Sequence, residues 1–310
     1  MAPLIVHHMA ALDGRFPPNS LEAIRACLEA KVAFIEVDIT ALADGDYLLV
    51  HDETLESETT GSGAVSGCSA EQVRDLRIKG SAYPVPLLSD VVRLFADYAQ
   101  TATRLQLDYK SVFPFPDDEP IERLVRLIAP LRERVIVSSG ADWQLRKLRH
   151  YAAWLDLGFD VQFYIDWREA GQAVDPRQIP KHLGAYGYWD DHPLAQAKVW
   201  RTADYLADKC GQLIGLVPRL STFYISHKLL AQALDDGFNW AEMLHAHQIK
   251  LDAWTLDAGV GKQQAEVNAV RLLAASVDQF TTNTPAALSS LLAGVNVPAA
   301  AHPAPPASSR

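Results

Sequence analysis

Apolar positions along this chain alternate between short unbroken runs and longer stretches with helical spacing. The runs cover 4–8, 33–39, 105–110, 135–139, 157–163, 223–226, 251–256 and 277–281. Each is too short for a typical helix and rich in Val, Ile, Leu or Phe, which reads as a strand buried on both faces. Residues 19–31 have helical spacing with Asn19 or Ser20 at the cap position, and a second helix is expected from Ser89, after Pro84-Val85-Pro86-Leu87-Leu88. A further run at 47–50 precedes His51-Asp52, and Thr59-Thr60-Gly61-Ser62-Gly63 is a turn-rich excursion. Eight core strands alternating with helical segments predict an α/β fold, a (β/α)8 TIM barrel.

One domain over 1–292 is expected, because 310 residues, 49% of them hydrophobic, suffice for one large core. Residues 166–218 are longer than a standard crossover and carry Trp167, Tyr186, Tyr188, Trp189 and Trp200. That aromatic insertion is expected to decorate the barrel mouth. The Pro- and Ala-rich tail 293–310 has too little apolar surface to order itself. No internal repeat is visible.

Charge narrows the partners. A net charge of −10 argues against nucleic-acid binding, which needs a basic surface, and disfavours standing association with an anionic membrane. Cys27, Cys68 and Cys210 form neither a disulfide framework nor metal-type pairs. The first residues lack the basic start and apolar stretch of a signal peptide, and no run has the length of a membrane span. A cytoplasmic setting without membrane insertion is the expectation; oligomeric state is left open.

Acidic and histidine residues close the predicted strands. Glu36 and Asp38 share one face of their strand, because residues two apart point the same way. Such a pair is ordinarily a cap or an ion-pair partner. In a barrel, however, the carboxyl ends of the strands line the active site, so His8, Glu36, Asp38 and Asp108 should converge there. Glu36, Asp38 and Asp108 then make an all-oxygen site for a hard cation, Mg²⁺ or Ca²⁺, whereas zinc prefers nitrogen or sulfur.

These motifs, in this order, resemble the glycerophosphodiester phosphodiesterases, a branch of the phosphatidylinositol-phosphodiesterase-like barrels. That family opens with a strand ending His-Arg-Gly, followed by Pro-Glu-Asn-Thr, Glu-x-Asp, His-Asp and Glu-x-Lys. Here His8-Met9-Ala10, Pro17-Pro18-Asn19-Ser20, Glu36-Val37-Asp38, His51-Asp52 and Asp108-Tyr109-Lys110 occupy those places. Ala253-Trp254-Thr255-Leu256-Asp257 is similar to the family's Val-Trp-Thr-Val-Asn, and Thr281-Thr282-Asn283-Thr284-Pro285 to its closing Thr-Asp-x-Pro.

The departures matter as much. Met9 stands where the family has a phosphate-binding arginine, Pro18 replaces a glutamate, Ser57-Glu58 replaces Arg-Thr, and Asp108 is one methylene shorter than glutamate. Histidine followed by methionine, and Asp-x-Lys on the third strand, resemble the related sphingomyelinase D enzymes. Those carry disulfide-closed loops that this chain lacks.

The resemblance implies metal-dependent hydrolysis of a small-molecule or lipid phosphodiester. His8 would act as nucleophile or base and His51 as acid, since imidazole has both forms accessible near neutrality. Lys110 could hold a phosphate oxygen, and Trp254 could wall the pocket against a head group. Two alternatives stand beside hydrolysis of a glycerophosphodiester to glycerol 3-phosphate and an alcohol. One is phospholipase D-like cleavage of lysophospholipid or sphingomyelin with a cyclic phosphate product. The other is a non-catalytic barrel that binds a phosphate-bearing ligand.

Overall fold

The computed structural model describes residues 3–113, 118–169, 171 and 182–295. In chain order the elements are β1 (Leu4–His7), α1 (Leu21–Glu29), β2 (Phe34–Ala41), β3 (Tyr47–Leu48), α2 (Ala70–Val73), α3 (Leu88–Asp97), β4 (Arg104–Tyr109), α4 (Glu119–Ile128), β5 (Val135–Ser139), α5 (Asp142–Tyr151) and β6 (Asp156–Asp160). They continue with α6 (Thr202–Leu216), β7 (Thr222–Ser226), α7 (His227–Asp235), α8 (Trp240–Ala246), β8 (Lys250–Trp254), α9 (Gln263–Ala274), β9 (Gln279–Thr282) and α10 (Pro285–Ala293).

Eight of these strands are parallel neighbours in the order β1-β2-β4-β5-β6-β7-β8-β9, and β1 pairs with both β2 and β9. The sheet therefore closes on itself, and the chain is a (β/α)8 barrel as the strand pattern predicts. The short β3 stays outside, antiparallel to the end of β2.

Strand β2 shows how sequence becomes architecture. Every residue of it is buried, because one face meets helices and the other the barrel interior. Ile35, Val37 and Ile39 join the large core with Ile24, Leu28, Val91 and Phe95 of α1 and α3. The alternate residues Phe34, Glu36 and Asp38 share the other face. Phe34 packs with Val6 and Ile136 in a small separate apolar cluster, and the polar side chains lie farther along the same strands.

Several element ends differ from the sequence expectation, each for a local reason. The first strand stops at His7, because Met9 and Ala10 take left-handed φ values of 49° and 57° and turn the chain through a short 3-10 segment, His8–Ala10. Helix α1 is capped by Ser20, whose hydroxyl accepts the Ala23 N–H at 3.1 Å, while Asn19 turns out of the helix. The run 157–163 is strand only to Asp160, which then caps a 3-10 turn by accepting the Gln162 N–H.

Within 166–218 the last part is α6, the barrel's own crossover helix. The described residues before it are anchored to it through Asp190, which accepts hydrogen bonds from Tyr205 and Lys209. Residues 42–87 form a second excursion with its own small core around Leu48, Val50, Leu55, Val65 and Val85. That excursion carries His51. The tail from 296 onward lies outside the described residues. No helix among the described residues is long and apolar enough to cross a membrane.

Candidate active site

Strand register fixes the first layer of the site. Asp38 pairs with Asp108 across β2 and β4, and Asp108 with Ser138 across β4 and β5, so three polar side chains form one row. Glu36 sits one step below Asp38 on the same face. Glu36, Asp38 and Asp108 each offer a carboxylate oxygen within 4.8 Å of the others, a group that could hold a metal ion.

Each acid has its own support. Asn19 donates from Nδ2 to Asp38 Oδ2 at 3.0 Å, and its Oδ1 accepts the Asp38 N–H at 3.3 Å. Glu36 Oε2 accepts the Met9 N–H at 2.8 Å. Ser138 donates to Asp108 Oδ1 at 3.0 Å and is itself held by Gln106 Nε2 at 2.9 Å. Lys110 reaches back to ion-pair with Asp108 and, at 3.1 Å, with Asp38.

Three carboxylates against one ammonium leave the cluster overcharged. Burial, together with the charges of Asp38 and Asp108, holds the Glu36 carboxyl well above the usual range. Burial also opposes ionisation of Asp38, but Lys110, His51 and the Asn19 hydrogen bond outweigh it and keep Asp38 low. The Lys110 ammonium is disfavoured by burial, yet Asp108, Asp38 and Glu36 hold it well above an ordinary lysine.

The two histidines enter from different places. His8, at the end of β1, donates from Nδ1 to Asn283 Oδ1 at 2.8 Å, and its Nε2 lies 3.9 Å from Glu36 Oε2. Asn283 cannot turn freely: Asp257 accepts its backbone N–H at 2.8 Å and its Nδ2–H at 3.2 Å. The network therefore places a proton on His8 Nδ1 and turns Nε2 toward Glu36. His51 is paired through Nδ1 with Asp52 Oδ1 at 3.0 Å. Glu58 Oε1 accepts the backbone N–H groups of both His51 and Asp52 at 2.8 Å.

A cavity of about 770 Å³ gathers these groups. His8, Glu36, His51, Asp108, Lys110 and Trp254 line it, and Asp38, 1% exposed, lies behind them in the carboxylate trio. His7 is buried beside the site, bonded at 2.6 Å to the Ala11 carbonyl, and does not line the cavity.

The comparisons with known proteins follow the same line. The model of the glycerophosphoryl diester phosphodiesterase family matches residues 11–287. This chain belongs to that family. Its members are phosphoric diester hydrolases. A glycerophosphodiester phosphodiesterase of Caldanaerobacter subterraneus is 28% identical over 203 residues, 63% of this chain and 76% of that protein. Among solved structures, a glycerophosphodiester phosphodiesterase of Parabacteroides distasonis superposes with a TM-score of 0.65 at 14% identity, covering 94% of this chain and 96% of that one. A phosphodiesterase of Oleispira antarctica, solved in complex with its product sn-glycerol-3-phosphate, gives 0.60 at 15% identity over 94% and 98%.

Against the family pattern, the structure adds residues that the sequence did not single out. Asp160 closes β6 and lines the cavity, so the strand-end logic used for Asp108 would have found it. Burial and the nearby charge of Asp108 push its carboxyl up to about 7. Asn19 and Asn283 were visible inside motifs, but nothing local in sequence shows which side chains they reach. Met9 lines the cavity, and its backbone N–H holds Glu36.

Proposed function

We propose that this protein hydrolyses glycerophosphodiesters to glycerol 3-phosphate and an alcohol, using a divalent cation held by Glu36, Asp38 and Asp108. The observation that carries this is the convergence of three carboxylates, those of Glu36 and Asp38 buried and that of Asp108 half-buried, and two histidines from separate strands and loops at one cavity. The donor set suits Mg²⁺ or Ca²⁺, being oxygen only. The fit is also electrostatic: Glu36 is driven toward its protonated form by burial and by the charges of Asp38 and Asp108, a repulsion that a cation relieves. When bound, the cation supplies positive charge that offsets the phosphate anion and the charge developing in the transition state.

The chain's own groups supply the proton and covalent chemistry. His8, with Nδ1–H spent on Asn283, presents Nε2 as nucleophile or base. His51, oriented by Asp52 and by its clamped backbone, protonates the departing alkoxide. Lys110 stays cationic and holds a phosphate oxygen, which partly offsets the arginine replaced by Met9. Trp254 walls the cavity against the head group.

The test is a panel of phosphodiesters assayed with Mg²⁺, Ca²⁺ and EDTA on the wild type, His8→Ala and His51→Ala. Hydrolysis is expected with metal, abolished by EDTA, and about 10²–10⁴-fold slower in each variant. Absence of cleavage under every metal, or full activity in both variants, would sink the proposal. Met9 and Asp108 also keep cyclisation in view, and phosphorus NMR separates a cyclic phosphate from glycerol 3-phosphate.

A further inference from the structure

Three neighbouring strand ends carry one hydrogen-bonded series. Asp257 follows β8, Asn283 follows β9 and His8 follows β1, and these strands are adjacent in the barrel. Asp257 Oδ1 accepts the Thr282 hydroxyl at 3.1 Å and the Asn283 backbone N–H at 2.8 Å, while its Oδ2 accepts Asn283 Nδ2–H at 3.2 Å. Asn283 Oδ1 then faces His8 Nδ1 at 2.8 Å. Neither Asp257 nor Asn283 lines the reaction cavity; Asp257 lines a second space, between α7 and α9.

The direction of this series is set at its far end. A carboxylate only accepts, whereas an amide offers a donor or an acceptor according to how it is turned, and a neutral imidazole carries its proton on either nitrogen. Asn283 is exposed, so packing does not decide how its amide is turned. The Asp257 carboxylate does decide it. It takes the Nδ2–H, Oδ1 is left for His8, and His8 Nδ1 must donate. A neutral His8 ring then keeps its lone pair on Nε2, the atom turned toward Glu36.

The sequence holds the same relation in exchanged form. The motifs that this chain resembles have asparagine at the position of Asp257 and aspartate at that of Asn283, so carboxylate and amide have traded places. Either order leaves an accepting oxygen facing the histidine. Two amides would not. In Asp257→Asn the new amide oxygen would keep the Thr282 hydroxyl and the Asn283 backbone N–H, and its NH2 would draw the Asn283 oxygen toward itself. Asn283 Nδ2–H would then face His8 Nδ1, and the ring proton would move to Nε2, masking the reacting atom.

We propose that Asp257 is a positioning residue for the hydrolysis: acting through Asn283, it holds His8 as the Nδ1–H tautomer with Nε2 bare. The proposal rests on the role given to His8 above, and its test reads the ring apart from turnover. Long-range 1H–15N spectra of the imidazoles would be recorded in alkaline buffer, above the titration of an ordinary histidine, for the wild type, Asp257→Asn and the double variant Asp257→Asn/Asn283→Asp. The His8 signals are those missing from His8→Ala, and melting curves check that each variant is folded. In parallel, kcat and KM would be measured on a glycerophosphodiester with Mg²⁺.

The expected proton position is Nδ1 in the wild type, Nε2 in Asp257→Asn and Nδ1 again in the double variant. Asp257→Asn should lower kcat by about 10–100-fold with a smaller change in KM, and the double variant should recover most of that loss. A wild-type ring in any other form, an unchanged tautomer or kcat in Asp257→Asn, or no recovery in the double variant overturns the proposal. If the wild type cleaves no diester, the hydrolase function falls and the spectra alone decide: a tautomer that inverts and returns upholds the control by Asp257, and one that does not ends it.

Discussion

At His51 the backbone is held more firmly than the ring. Two N–H groups, of His51 and Asp52, converge on one oxygen of Glu58, and hydrogen bonds to a charged acceptor contribute about 1.5–3 kcal/mol each. Glu58 stands where the family has threonine, so this clamp belongs to the chain's own variation. Glu58→Ala should lower kcat by about tenfold or more with a smaller change in KM, because His51, the proposed general acid, loses its placement. Glu58→Gln, which keeps an accepting oxygen, should recover part of it; equal loss in both variants would show that the carboxylate charge, not the clamp, matters. Residue roles of this kind are legible in sequence only where the strand end announces them. His8, Glu36, Asp38 and Asp108 were announced in that way. Asn283 and Asp257 act through contacts between segments far apart in the chain, and Glu58 through an irregular loop that folds back over six and seven residues, neither of which a periodic pattern encodes.

Elements were more legible than residues, and the reason is the barrel itself. Its strands are buried on both faces, so they appear as largely apolar runs, with polar side chains such as Glu36, Asp38 and Asp108 where they meet the site. Ends were less legible. His8 left its strand because of left-handed backbone at Met9 and Ala10, which apolar pattern does not reveal. The long β6–α6 connection illustrates a further step, from composition to packing. Tyr186 stacks on Tyr205 of α6 with ring centroids 4.0 Å apart, and Asp190 is buried against Tyr205 and Lys209. Removing one partner of a buried pair strands the other, at a cost of about 3–5 kcal/mol. Lys209→Met should therefore destabilise the protein by that order in urea unfolding, and adding Asp190→Asn should return part of the loss. Additive destabilisation in the double variant would show that the pair is not coupled.

For the whole molecule, the active site is a store of unfavourable charge that folding imposes. Burial and two neighbouring carboxylates raise the folded-state pKa of Glu36 above its unfolded value. The sign follows: the folded protein binds the extra proton, so without metal Glu36 contributes a loss of stability as pH rises from the ordinary carboxylate range through its raised folded pKa. A divalent cation at the proposed site would replace that proton, and its binding should strengthen over the same pH interval. A ligand that binds only the folded state stabilises it by RT ln(1 + [L]/Kd), about 2.7 kcal/mol at one hundred times Kd. Melting curves with Mg²⁺ or Ca²⁺ should thus shift upward, more in alkaline buffer than at a pH within the ordinary carboxylate range, and return with EDTA. In Glu36→Gln the shift should shrink, because the cation loses a charged ligand. A cation shift that is the same at both pH values, or that survives unchanged in Glu36→Gln, would place the metal elsewhere than at the three carboxylates.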